Sequence, residues 1–221
     1  MDKLVRKIEG PLARKAIEKA GLYIVQEKDL DHLAEVAADA YKDYPLHNWF
    51  TKGKYDEKAS KILMQITLKT MTKDAIIYAD SEEMNGFAAW LPFGFTGNKA
   101  IPFLKSGGLK LILHSGFGII ARLSAYEKYA MNLKKDFTDN YDWYLFNLSI
   151  KKDAQGKGIA SKLLRPMLEF CDNEKMVAYL ETNKESNVGL YQHYGFELKK
   201  EELIPKTPVY HYAMVRNPKG E

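Results

Sequence analysis

Only one cysteine, Cys171, occurs in the 221 residues, so no intramolecular disulfide can form and a reducing cytoplasm is the expected compartment. Cys171 lies beside Met167 and Leu168 on an apolar helical stripe, which suits a neutral buried thiol rather than a nucleophile. Long apolar runs are missing too. The most apolar stretch, residues 109–123, is broken by Lys110, His114, Ser115 and Gly116, so no membrane span and no membrane partner are expected. The first residues contain no uninterrupted apolar segment, which argues against a signal peptide. Charge of one sign is also lacking. Lys and Arg number 33 against 29 Asp and Glu, for a net charge of +4, too balanced to imply a nucleic-acid partner. The pairs Lys134-Lys135, Lys151-Lys152 and Lys199-Lys200 read as solvated faces. No His/Cys/Asp/Glu cluster has metal-ligand spacing, no Gly-x-Ser-x-Gly elbow appears, and there is no internal repeat.

What is present suits one soluble α/β domain: 46% hydrophobic and 28% charged residues, in a chain long enough for a full core. Residues 1–20 read as an N-terminal appendage, an amphipathic helix interrupted at Gly10-Pro11. A first strand is expected over 22–26. Asp29 then caps a helix carrying Leu30, Leu33, Val36, Ala37, Ala40 and Tyr41 on one face. Residues 44–50 form an aromatic loop before a second helix over 56–71. Strands at 75–79 and 86–90 follow. Residues 96–139 read as a helical insertion with glycine breaks at Gly107-Gly108, Gly116 and Gly118. Beyond it come a strand over 143–150, a helix over 158–172, a strand over 176–182, a short helix over 187–194 and a closing pair of strands near 196–203 and 208–216.

The segment with most chemical content is Gln155-Gly156-Lys157-Gly158-Ile159-Ala160. It joins the aromatic, apolar strand at 143–150 to a helix on which Ile159, Leu163, Leu164, Met167, Leu168 and Cys171 recur at helical spacing. Two glycines one residue apart allow close backbone approach to a ligand, and the helix start behind them offers unpaired N–H groups and a positive dipole end. A phosphate fits such a cradle; a tight turn with a basic residue is the alternative. A dinucleotide fingerprint would place glycine where Ser161 stands, and a P-loop would need Ser or Thr after Gly-Lys, where Gly158 stands. What the segment does match is Gln-x-x-Gly-x-Ala.

A second constellation, Asn187-Val-Gly-Leu190-Tyr191-Gln-His-Tyr194-Gly195-Phe196, follows a strand ending in Glu181-Thr182-Asn183. Asn187 reads as a helix N-cap and Gly195 as a left-handed helix stop. Taken alone, Leu190, Tyr191 and Tyr194 are ordinary core residues. The two motifs occur in order, separated by one helix and one strand, and in this the chain resembles the Gcn5-related N-acetyltransferase (GNAT) family, clearly over 143–215 and more loosely over 22–92. Gln-Gly-Lys-Gly-Ile-Ala at 155–160, Tyr-Leu-Glu-Thr at 179–182, Leu-Tyr-x-x-Tyr-Gly-Phe at 190–196 and a Pro-Lys-Thr-Pro-Val-Tyr hairpin from 205 are similar in style to the puromycin N-acetyltransferase-like branch.

The resemblance implies a single α/β domain spanning 1–221. Its fold would be a mixed, mostly antiparallel twisted sheet of about seven strands flanked by helices, with splayed fourth and fifth strands. Residues 143–196 would be its acetyl-CoA-binding core. It implies acetyl-CoA as co-substrate, no metal, and a primary amine on a small molecule as acceptor, attacking directly in a ternary complex. A protein N-terminal or lysine acetyltransferase and a non-catalytic acyl-CoA-binding module are the alternatives. Gly156, Gly158, Ile159 and Ala160 would hold the diphosphate through backbone N–H groups, flanked by Gln155 and Ser161, with Lys157 adding charge. Leu148, Ser149 and Ile150 would pair with the pantetheine like a missing strand. Tyr191 is the expected general acid toward the departing thiolate, with Tyr194 its rival; Asn187 either orients pantetheine or caps its helix. No acid stands at residues 144–150, so Glu181 is the candidate base and His47 the second. Tyr44, Trp49, Phe50, Trp90, Phe93 and Phe95 are candidate walls for the acceptor. The oligomeric state is left open, a homodimer included.

Overall fold

The computed structural model describes residues 2–92, 103–138 and 142–220, with side chains from residue 10 onward. Phe93, Phe95 and the first part of the 96–139 insertion lie outside the described residues. Seven strands, β1 (Tyr23–Ile24), β2 (Ile76–Ala79), β3 (Gly86–Leu91), β4 (Asp142–Ile150), β5 (Val177–Thr182), β6 (Glu197–Leu203) and β7 (Tyr210–Arg216), form one open sheet in the order β1-β2-β3-β4-β5-β7-β6. Every pairing is antiparallel except β4 with β5, which run parallel. This is the GNAT-like architecture expected from the sequence.

Helices cover both faces. On one, α1 (Asp2–Lys19) and α7 (Ile159–Asn173) bury Ala13, Ile17, Leu163, Met167 and Cys171 against Tyr78, Trp90 and Trp143 of the sheet. On the other, α2 (Leu30–Ala40) and α4 (Glu57–Met71) pack Leu33, Val36, Met64 and Leu68 on Phe87, Ala89, Tyr144 and Tyr179. Each fully buried Leu, Ile, Val, Met or Phe among them stabilises the fold by about 1.5–3 kcal/mol. A third cluster joins α3 (Pro45–Phe50), α4, α5 (Leu109–Ser115) and α6 (Phe117–Lys134) to the turn between β6 and β7, through Leu46, Phe50, Ile66, Leu111, Ile119, Ile204 and Val209. The helical segment between the third and fourth strands therefore packs over one end of the sheet.

Several local expectations give way to packing. Gly10-Pro11 does not interrupt α1, which runs through Pro11 and sets Ala13 and Ile17 into the core with no solvent exposure. Asp29 stands at the N-cap of α2, but its side chain makes no cap hydrogen bond to that helix. Its carboxylate instead accepts from the Gln26 N–H and from the Tyr23 hydroxyl, both at 2.9 Å, so the capping box belongs to the 3₁₀ turn Glu27–Asp29 before the helix. The aromatic loop at 44–50 is helical, with Pro45 at its first position, where a missing N–H costs nothing. Gly107 and Gly116, at φ +117° and +76°, break the insertion as expected, whereas Gly118 sits inside α6. Lys134 is not solvated. Its ammonium is buried in an ion pair with Asp142 at 2.8 Å and lies over the rings of Tyr144 and Tyr179.

Candidate active site

The glycine loop is built as its sequence suggests. After β4, a 3₁₀ turn (Lys152–Ala154) is held by the Lys152 N–H on Asp39 (2.7 Å) and the Lys151 N–H on the Asn85 carbonyl (2.9 Å). Gly156 and Gly158 then take φ of +75° and +80°, left-handed values that favour glycine. Gly158 is the N-cap of α7, and the first helical bond runs from the Lys162 N–H to its carbonyl. The N–H groups of Ile159, Ala160 and Ser161 are therefore those a helix leaves unpaired at its start. A Cβ at Gly156 or Gly158 meets nothing within 4 Å, so the space in front of the loop is open. Gln155 turns its amide back onto the Ile150 carbonyl (3.2 Å), and Lys157 is exposed. Arg165, unmarked in the sequence, reaches the Ser161 hydroxyl at 2.7 Å and adds a cation one turn into the helix.

β4 and β5 pair only from Asp142–Val177 to Leu145–Leu180. Beyond Leu145 the side of β4 facing β5 has no partner, although its other side stays paired with β3 up to Ile150. Leu148 and Ile150 are half-buried there, whereas the Ser149 hydroxyl turns inward onto Asn147 (2.8 Å), leaving only its main chain to the cleft. The open edge ends at the glycine loop.

Where the strands part lies a cavity of about 240 Å³, walled by α2, α3, α4, α6, β4, the end of β5 and α8 (Ser186–His193). Tyr191 and Glu181 both line it. The Tyr191 ring is 93% buried, packed edge-on to Phe196, and its hydroxyl has no hydrogen-bond partner among the described residues. Burial raises its pKa well above the ordinary phenol value, so it remains an O–H donor at neutral pH. Tyr194 does not line the cavity; its ring faces the Arg165 guanidinium at 6.0 Å. Asn187 is not the N-cap: it lies inside α8, lines the cavity and donates to the Thr182 hydroxyl at 3.1 Å. The turn starts earlier, with the Asn187 N–H already bound to the Lys184 carbonyl. Gly195 does end that helix, at φ +87°, with the Phe196 N–H returning to the Tyr191 carbonyl at 3.1 Å.

Glu181 accepts from the Tyr144 hydroxyl (2.7 Å) and the Tyr179 hydroxyl (2.9 Å). Its charge, after burial, helps hold both phenols in the protonated form. His47 also lines the cavity, stacked on Tyr41 at 4.1 Å and bonded through Nδ1 to Ser60 at 2.9 Å. Burial lowers its pKa to about 3, so its imidazole is neutral and a feeble base. Tyr44 and Phe50 are walls as expected, but Trp90 is deep in the core, donating to the Tyr78 hydroxyl. The sequence reading missed Tyr41, Tyr126, Tyr144, Phe146 and Asn147, which complete the lining. Tyr126 and Tyr44 tie down the end of β5 through Asn183 (3.2 and 2.8 Å). Among the described residues no group of three His, Cys, Asp or Glu side chains could hold a metal, and no helix is long and apolar enough to cross a membrane.

Comparison with known proteins agrees with this layout. Residues 116–198 match the family model described as an acetyltransferase (GNAT) domain. A curated relative, an uncharacterized N-acetyltransferase from Schizosaccharomyces pombe, is 24% identical over 213 residues, covering 89% of this chain and 83% of its own. Among solved structures, one from Corynebacterium glutamicum, described as histone acetyltransferase HPA2 and related acetyltransferase, superposes with a TM-score of 0.60 at 16% identity, covering 90% of this chain and 97% of its own. Arylalkylamine N-acetyltransferase 2 from Aedes aegypti gives 0.56 at 20% identity, with coverage of 89% and 97%. The structural likenesses show the fold. The family model adds that residues 116–198 are similar to a GNAT acetyltransferase domain.

Proposed function

We propose that the protein is an N-acetyltransferase that moves the acetyl group of acetyl-CoA to the primary amine of a small molecule, by direct attack in a ternary complex. The observation that carries this reading is that Tyr191 and Glu181 line one cavity at the point where β4 loses its partner, with the glycine loop at the far end of the same open edge. In this reading the diphosphate sits on the N–H groups of residues 158–161 and the pantetheine runs along 148–150. The thioester then lies where β4 and β5 part. Glu181 takes a proton from the ammonium form of the acceptor, and the free amine attacks the carbonyl carbon. As the C–S bond breaks, Tyr191 gives its phenolic proton to sulfur. Its raised pKa does not disqualify it, because the same dry site that disfavours phenolate also disfavours thiolate. Asn187 orients the pantetheine arm, its amide steadied by Thr182.

Residues of α3 and α6 wall the cavity, which favours a small acceptor over a protein chain. The family resemblance also makes puromycin-like aminoacyl compounds worth including among trial acceptors. Calorimetric titration with acetyl-CoA, followed by free-thiol release with a panel of arylalkyl, alkyl and aminoacyl amines, tests the reading. Binding with amine-dependent release is expected. Binding without release from any amine leaves a CoA-binding module, and absence of binding removes the role of the loop.

A further inference from the structure

One buried ionisable side chain is left without a task by this chemistry. His211 on β7 has no solvent exposure, and neither ring nitrogen has a hydrogen-bond partner among the described residues. A buried polar group left unpaired is costly, so its presence calls for an explanation. The strand register supplies one. Glu202 of β6 stands directly opposite His211, and Glu181 of β5 stands opposite Ala213, two residues further along β7. Alternate residues of a strand share a face, so Glu181, His211 and Glu202 lie on the same face of three adjacent strands. The Glu181 carboxylate is 3.9 Å from His211 Nε2. Helix α6 covers the row with the rings of Tyr126 and Tyr129, at 6.2 and 5.2 Å from the imidazole, and the Tyr129 hydroxyl donates to Glu202 at 2.7 Å. One end of the row, Glu181, faces the cavity; the side chain of the other, Glu202, is 34% exposed.

We propose that Glu181, His211 and Glu202 form a proton exit from the acceptor cavity, in which His211 carries to Glu202 the proton that Glu181 takes from the amine. This inference rests on the acetyltransferase reading above. That reaction converts an ammonium and a thioester into an amide, a thiol and one free proton. The amine nitrogen loses two protons as the C–N bond forms. One replaces the proton that Tyr191 gives to sulfur, and the other must leave a cavity whose mouth the co-substrate fills. From Glu181 it passes to His211 Nε2 across the 3.9 Å between them, a distance that a small movement of either side chain closes. The imidazolium then gives up its other N–H proton toward Glu202 and solvent. Burial holds the imidazole below its ordinary pKa while Glu181 and Glu202 pull it upward, so it rests neutral and accepts a proton in transit. His211 acts through Glu181 and is a positioning residue.

The test pairs Glu202→Gln, at the surface, with His211→Gln. Each is expected to lower kcat about tenfold and enlarge the solvent deuterium effect, with the KM for acetyl-CoA and for the amine unchanged. The double variant should lose no more than either single one. A second readout needs no turnover: titration of the five histidines by nuclear magnetic resonance on ¹⁵N-labelled protein. The His211 pKa should fall by about one unit in both Glu202→Gln and Glu181→Gln, because each removes a facing negative charge. Unchanged kcat in both variants, or a His211 titration that neither carboxylate moves, overturns the proposal. If no amine elicits thiol release from the wild type, the acetyltransferase reading falls, and the titration still decides whether the three groups are coupled.

Discussion

The two sides of the cavity are made in different ways. On the side of the glycine loop, the groups offered to a ligand are main-chain N–H and C=O: the start of α7 and the unpaired edge of β4. On the other side, side chains from the end of α2, from α3, α4, α6 and from two strands converge, aromatic and aliphatic together. A backbone site needs glycine at fixed spacing, so it leaves a mark in a short stretch of sequence. A side-chain wall needs only bulk and apolarity at positions brought together by tertiary packing, and a buried tyrosine there looks like any other. In the proposed reaction the first side would serve one invariant co-substrate, while the second would set which acceptor is taken.

Four substitutions probe that division, beginning with the one that should remove function outright. Gly158→Trp places an indole in the open space before the loop, at a residue with φ +80°. Acetyl-CoA binding by calorimetry should vanish; ordinary affinity in that variant would mean that the backbone side is misassigned. Lys134→Met tests what holds the two sides together, because Lys134 belongs to α6 and its partner Asp142 to β4. Removing the cation leaves an unexposed carboxylate unpaired, and thermal or urea unfolding should show a loss of about 3–5 kcal/mol. Replacing both partners, Lys134→Met with Asp142→Leu, should restore most of it.

Tyr191→Phe comes next. It keeps the ring packed on Phe196 and deletes only the proton donor, so kcat should fall about 10²-fold while acetyl-CoA affinity holds. Equal rates in the two proteins would remove Tyr191 from the chemistry. Gly86→Ala is subtler. A Cβ there would stand 2.8 Å from Ile159 Cγ2 and 3.0 Å from Ile150 Cγ1, pressing on the first residue of α7. Overpacking of this kind costs about 1–3 kcal/mol, and displacement of the helix start should raise the KM for acetyl-CoA more than that for the amine. An effect confined to the amine would mean that the two sides are not separable.

The same contrast explains what could be read from residues alone. The strand–loop–helix at 143–172 and the left-handed stop at Gly195 are local signals, and they stand where expected. Other features depend on partners distant in sequence. Lys134 looks solvated until Asp142 is brought beneath it, and Pro11 looks like a helix break until Ala13 and Ile17 anchor the helix on α7. Asn187 has the chemistry of a cap, but Thr182 takes its amide. The row Glu181–His211–Glu202 spans three strands and has no signature in any one of them.

His47 offers the finest probe, because it tests the aromatic side through charge alone. Its imidazole titrates at about 3 in the folded chain, through burial, against about 6.5 when unfolded. The sign follows from proton counting: between those values the unfolded chain binds the proton and the folded chain does not, so stability is complete above the unfolded pKa and declines as pH falls toward 3. Between about pH 7 and about pH 5 this one residue should account for a loss of at most about 2 kcal/mol. His47→Gln, which keeps a polar group near Ser60 but cannot titrate, should flatten that part of the pH–stability curve measured by urea unfolding. An unchanged slope would mean that His47 gains solvent on protonation, and that the wall it shares with Tyr41 and Phe50 opens more readily than its packing implies.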